Sequence, residues 1–296
     1  MPVVWTVQVH PAWAHPLGRA SLFRRSSYVV ALRLLDRVTT ETVFVSEGLA
    51  EQVTEFIGRT PCRWSVVRNA IDVKRYRPSI SSRQLFRAKL GISEDIRVVG
   101  VLARLIPRKG IDTFIRAMSL LTDRHVMGLI AGEGPLKDEL ESLTRAHGLG
   151  KRIRFLGHLE SAEKFVAAID VGVLVSRGEG FPLAVMEMMS AGVPVIVSDI
   201  PMHRGFREAV GAVAFVPPDD PKALALAMDN VLERSRSAEM GERARQFAEN
   251  SFSTDRMVAG YCEVYRRVTM TSGGSGVAQV VESSQKERGA FESESR

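Results

Sequence analysis

The sequence predicts an α/β fold with two parallel, doubly wound sheets, the first of them incomplete. Three observations predict it. Short β-rich apolar runs alternate with amphipathic stretches, the alternation breaks across residues 69–80 and restarts near 97, and loops rich in glycine and charge follow several strands of the second set. With 296 residues, 45% hydrophobic and 25% charged, the chain has an ordinary globular balance, which excludes a disordered or fibrous protein. No apolar run reaches membrane-spanning length, because Arg104 and Asp170 interrupt the two longest. Residues 1–14 lack the basic start and apolar block of a secretory signal. Cys62 and Cys262 have no metal-binding spacing and fit a reducing compartment, so a cytoplasmic location is expected.

In the front part, residues 3–9, 42–45 and 64–67 read as strands and 21–35 and 50–57 as helices. Pro78 and several charges mark 69–80 as a hinge. The second set supplies strands at 98–102, 126–130, 153–155, 171–175, 193–197 and 213–216, a complete sheet by itself, followed by helices at 221–234, 238–250 and 254–268. The expected domains are therefore a partial one at 1–78 and a complete one at 79–253. A helix at 254–270 returns toward the first, and a disordered Ser/Gly/Glu-rich tail occupies 271–296.

Three loops carry chemistry. The strand at 98–102 runs into Arg104, Arg108 and Lys109 ahead of a helix starting near Asp112. Cations at a parallel strand's carboxyl end, beside a helix amino terminus, suit a phosphate or diphosphate, and the competing reading is a solvated turn. A second strand ends in Gly132-Glu133-Gly134-Pro135, where glycine lets backbone approach a ligand and Pro135 suits a first helical turn. A plain strand-to-helix turn explains it too. The third is Glu179-Gly180-Phe181-Pro182-Leu183, leading into a helix at 184–191 that carries Glu187 among Val185, Met186, Met188 and Met189. A carboxylate in such company needs a partner or a ligand, unless the methionines are core and Glu187 faces outward. All three loops follow strands of one sheet, where open α/β folds bind ligands.

Taken in order, Ser46, residues 67–72 with Pro78, the Arg104/Lys109-Gly110 loop, Gly132 to Pro135, Phe155-Leu156-Gly157, Glu179 to Leu183 with Glu187, residues 191–195 and Pro218-Asp219-Asp220 resemble a retaining glycosyltransferase of family 4. The resemblance spans residues 3–268 and implies the GT-B architecture of two Rossmann-like domains. It implies that Arg104 and Lys109 hold the donor diphosphate, that Glu179 contacts the donor sugar and that Glu187 holds the ribose hydroxyls. The backbone from Gly180 through Phe181 and Pro182 to Leu183, with Gly132, Gly134 and Pro135, would line the donor pocket. His10 and Ser46, each ending a front-domain strand, would reach the sugar or acceptor side. Family members usually have glycine where Ala70 and Ala103 stand here, and a longer front domain, so the acceptor-side domain is expected to be incomplete.

The implied activity is transfer of a hexose-type unit from a UDP- or GDP-sugar to a hydroxyl on a glycan or lipid-linked acceptor, with retention, without an enzymic nucleophile, and with neither cofactor nor metal. The rival is a non-catalytic or remnant nucleotide-sugar-binding module. A dehydrogenase is set aside because no Gly-x-Gly-x-x-Gly follows a strand. Residues 1–90 hold 14 Lys and Arg against 6 Asp and Glu, whereas the rest hold 26 against 28. The basic helix near 17–37 reads first as one whose apolar face covers the sheet, and second as a peripheral contact with the inner face of a membrane. Nucleic-acid binding is not expected, for no recognition motif is present. An open sheet edge in the front part predicts self-association.

Overall fold

The computed structural model describes residues 2–10 and 22–271, and divides into two compact units, Met1–Arg68 with Asp255–Arg296, and Asn69–Thr254. The first unit contains β1 (Val4–Val7), α1 (Leu22–Val38), β2 (Glu41–Phe44), α2 (Glu47–Ile57) and β3 (Trp64–Val66). Its three strands are parallel in the order β1-β2-β3. The last helix, α10 (Thr254–Thr271), contributes Val264 and Val268 to a small core with Val43 and Val67, and its Arg267 pairs with Glu41. The expected tail, beyond Thr271, lies outside the described residues, as does much of the basic stretch before α1.

The second unit contains α3 (Ile80–Lys89), β4 (Val98–Leu102), α4 (Ile111–Leu120), β5 (Met127–Ala131), α5 (Lys137–Ala146), β6 (Ile153–Gly157), α6 (Ala162–Ala168), β7 (Val171–Leu174), α7 (Leu183–Ser190), β8 (Val195–Ser198), β9 (Val213–Val216), α8 (Pro221–Val231) and α9 (Arg234–Ser251). All six strands are parallel, in the order β6-β5-β4-β7-β8-β9. Most of their Val, Ile and Leu side chains are buried, with Phe114, Ile115, Met118 and Met228 from the helices filling one core. A strand covered on both faces reads as a continuous apolar run, which is why this sheet is visible in the sequence.

Three expectations need correction, and one element is new. The boundary placed at 78 falls at 68, because residues 69–78 are bonded into the second unit. Ile71 N donates to Phe252 O (3.0 Å), Asn69 Nδ2 to Phe181 O (3.1 Å), and Tyr76 O accepts from Ser190 Oγ (2.6 Å) and Arg245 Nη1 (2.8 Å). The helix α3 stands in a stretch that the sequence pattern left unassigned. It starts on the Ser79 cap, whose Oγ accepts from Ser82 N (3.2 Å), and buries Arg87, an unpromising core residue until its partners appear. Arg87 donates to Asp170 Oδ2 (2.7 Å) and to the carbonyls of Ala168 (2.9 Å) and Ile96 (2.9 Å), which satisfies a charge that burial would otherwise penalise. Pro135 is not in a first helical turn, since α5 begins at Lys137 and Pro135 sits in the turn before it. Nor does α1 lay its whole apolar face on the sheet. Leu32 is buried, but Val30, Leu34 and Val38 are 53%, 54% and 65% exposed, because Asp36 turns inward to pair with Arg59 while Arg33 reaches Ile57 O.

Candidate functional site

Strands β4 and β7 are neighbours at the middle of the second sheet, and the chain leaves β4 for β5 on one side and β7 for β8 on the other. Connections diverging from adjacent parallel strands open a crevice at their carboxyl ends, the usual ligand position in such sheets. The loop after β4 carries Arg104, Arg108 and Lys109, and the loop after β7 carries Ser176 to Pro182. The two are stitched together. Arg177 N donates to Arg108 O (2.8 Å), and Arg108 Nη1 donates to Gly178 O (2.9 Å).

Within this crevice Glu179 is 5% exposed, and Lys109 Nζ lies 2.5 Å from its Oε1. Ser176 Oγ donates to the same oxygen at 2.6 Å, and Arg108 Nη1 stands 4.0 Å from Oε2. A buried carboxylate is thus held by one ammonium and one hydroxyl, which is what its burial requires. Arg104 is exposed and makes no ion pair among the described residues. Arg177 bridges Asp219 (2.7 Å) and Asp112 (2.8 Å), and these hydrogen-bonded carboxylates raise its pKa further.

Behind Glu179 lies His203, fully buried, with Nδ1 2.8 Å from Ser198 O. A carbonyl only accepts, so Nδ1 carries the proton and Nε2 is a bare acceptor, without a hydrogen-bond partner among the described residues. Burial lowers this imidazole's pKa and keeps it neutral.

The glycines of the second loop allow backbone to approach backbone. Gly132 has φ 132°, and a Cβ there would lie 2.0 Å from Ala103 O; at Gly134 it would lie 2.4 Å from Leu105 O. Leu105 N donates to Glu133 O (2.9 Å) and Leu136 N to Leu105 O (3.1 Å), so this turn clamps the backbone on either side of Arg104.

In α7 the cap residue is Pro182, which offers no side-chain acceptor to the first-turn N–H groups. Phe181 turns its ring into the core, stacked on Phe206 with centroids 4.8 Å apart, while Leu183 is 48% exposed at the helix start. Val185, Met186, Met188 and Met189 are buried, and Glu187 is half-buried. Tyr76 and Arg75 are the groups whose influence it feels. Burial raises the pKa of Glu187, opposed by both, and burial also raises the Tyr76 phenol.

His10 and Ser46 belong to the first unit and have work there. Ser46 is buried and caps α2, accepting from Leu49 N (3.2 Å). His10 is buried edge-on to Phe56 (5.1 Å), hydrogen-bonds the Gln52 backbone, and has its pKa lowered by burial. Tyr76 and His203 were not among the residues singled out from sequence, and nothing in their immediate neighbours flags them. Each matters through a group more than 20 residues away or a strand-end carbonyl. Among the described residues no group of three or more His, Cys, Asp or Glu could hold a metal ion, and no helix is long and apolar enough to cross a membrane.

Residues 82–251, more than half of the chain, match the family of glycosyl transferases group 1. The chain belongs to that family. A glycosyltransferase of Methanocaldococcus jannaschii is 30% identical over 198 residues, covering 65% of this chain and 50% of that protein. A D-inositol 3-phosphate glycosyltransferase of Geodermatophilus obscurus is 30% identical over 230 residues, 73% of this chain and 50% of the relative. The chain spans about half the length of these curated relatives. In structure, this group 1 chain is similar to Anabaena HepE, crystallised with UDP, at a TM-score of 0.78 and 23% identity, over 90% of this chain and 72% of that one. That likeness places the α/β fold among GT-B structures, with a small three-stranded sheet in the N-terminal unit.

Proposed function

We propose that this chain binds a UDP- or GDP-sugar at the β4/β7 crevice and transfers the sugar to a hydroxyl of a glycan or lipid-linked acceptor, with retention of configuration. The observation that carries the reading is that Arg104 and Lys109 lie in the loop after β4, and the amino end of α7, which has no side-chain cap, follows the loop after the neighbouring β7. Unsatisfied N–H groups at a helix start, with two cations beside them, form a site for a diphosphate. As the sugar departs, negative charge grows on that leaving group, and fixed cations stabilise the transition state more than the ground state. In this reading Lys109 releases Glu179 to meet the diphosphate, Glu179 turns its freed oxygen to a sugar hydroxyl, and Glu187 accepts from the ribose diol. No side chain is assigned as nucleophile, and the leaving phosphate takes the acceptor proton. HepE crystallised with UDP-glucose, and the matched relatives named as glycosyltransferases, support a nucleotide-sugar donor.

Calorimetry with UDP, GDP and ADP, followed by donor hydrolysis across a panel of nucleotide sugars, tests the reading. Binding of UDP or GDP with slow donor hydrolysis is the expected result, and no binding by a folded chain removes it. The three-stranded first sheet favours a second reading, a nucleotide-sugar-binding module without turnover, which predicts binding and no hydrolysis. Activity unchanged by EDTA is expected, and loss of activity restored by added magnesium or manganese overturns the metal-independent part.

A further inference from the structure

At the end of the second sheet opposite the crevice, the amino ends of β4, β7 and β8 border a cavity of about 510 Å³ that the donor-site reading leaves unused. Arg83 from α3, Arg97 ahead of β4 and Asp170 ahead of β7 form its polar wall, and Ile169, Val193 and Pro194 its apolar one. Asp170, its side chain 8% exposed, is the shared acceptor. Its Oδ1 accepts from Arg83 Nη2 (2.9 Å), and its Oδ2 from Arg87 Nη2 (2.7 Å) and Val98 N (2.7 Å). Arg97 Nη1 stands 3.6 Å from Oδ1, too far for a hydrogen bond, and Arg97 Nη2 donates to Leu232 O (2.7 Å). The carboxylate is therefore satisfied without Arg97. A second acid, Glu94, accepts from Arg83 Nε (2.8 Å) but is 52% exposed. Three cations, Arg83, Arg87 and Arg97, against two acids leave these five groups one positive charge in excess.

We infer that this cavity is a second binding site, for a small organic phosphate ester, whose phosphoryl group displaces Glu94 and bridges Arg83 and Arg97 while its organic part lies on Ile169, Val193 and Pro194. A guanidinium has five N–H donors, of which Arg83 spends two and Arg97 one among the described residues. Donors are thus in surplus at a wall whose one sheltered acid already has its partners. Arg97 also repels Arg83 and Arg87, and an anion in the cavity offsets that repulsion. A phosphate monoester brings three acceptor oxygens and nearly two negative charges, so it answers two guanidinium groups at once. A carboxylate brings two oxygens and one charge, and does no more than the Glu94 it would replace. Ser237 lines the same cavity, and its hydroxyl makes only a long bond, 3.4 Å, to Asp170 O, so it is a further donor at hand. The site belongs to the second unit alone, and none of its lining residues is assigned to the donor, so it does not rest on the donor-site reading.

Calorimetry on the full chain, with inorganic phosphate and glucose 6-phosphate as probes, tests the site. Both are expected to bind, the ester more tightly. No binding of either by the folded chain overturns the site, and equal affinities overturn the role of the apolar wall. Arg97→Gln is expected to weaken glucose 6-phosphate binding about tenfold, since a charge-assisted hydrogen bond is lost. Glu94→Gln removes the competing acid and is expected to tighten binding about threefold. Unchanged affinity in these two variants overturns the inference. Arg97 also holds Leu232 O, so R97Q is melted beside the parent. Where it does not fold, E94Q, altered only at a half-exposed surface acid, still decides. Arg104→Ala is expected to bind glucose 6-phosphate as the parent does, and a loss there places the anion in the crevice and overturns a separate site. A parent that binds glucose 6-phosphate but neither UDP nor GDP refutes the donor reading and leaves this site standing.

Discussion

Lys109 and Arg104 reach the same proposed ligand from opposite circumstances. Lys109 is paired with a buried acid, whereas Arg104 is exposed and makes no ion pair among the described residues. Both Ala variants are expected to lower turnover about a hundredfold. Only Lys109→Ala strands Glu179 in the interior, at a cost of about 3 kcal/mol, so its Tm falls by several degrees while that of Arg104→Ala stays level. Melting curves beside initial rates check the contrast, and equal melting of the two variants refutes it. The residue types were legible in the sequence, since cations after a strand, and acids before and within a short helix, announce themselves. The Lys109–Glu179 pairing was not, because its members are 70 residues apart and only the sheet order makes them neighbours.

The second sheet was legible almost strand by strand, because strands buried on both faces must be apolar throughout. The helix α3 was not: its core-facing member is Arg87, and an arginine joins a core only when a distant acid and distant carbonyls receive it. The boundary at residue 68 was hidden likewise, by hydrogen bonds to Phe181, Ser190 and Phe252. The clamp at Gly134 offers a direct test of how one turn places another. Gly134→Ala drives a methyl against Leu105 O, so the β4 loop must shift. A loss of stability of about 2 kcal/mol is expected, with a fall in donor affinity like that of Arg104→Ala, measured by denaturant unfolding and calorimetry. An intact donor affinity in a destabilised variant refutes the idea that the turn positions Arg104.

Across the molecule, each unit buries a neutral histidine, His10 in the first and His203 in the second. Burial lowers both pKa values, so the unfolded chain binds these protons more readily than the folded one. The stability they allow is complete above about 6.5 and is lost as pH falls through the lower folded values. Tm is therefore expected to decline on acidification below that point, and His203→Asn, which keeps a donor toward Ser198 O, to decline less steeply. A parallel decline in both chains contradicts that role for His203. The second sheet also separates its duties along the strand direction. Arg87 and Asp170 lock its amino ends, while Arg104, Lys109, Glu179 and Glu187 follow its carboxyl ends. Inherited variation in such genes should sort accordingly: changes around Asp170 would show up as missing protein, and changes at Arg104 as normal amounts of an idle one.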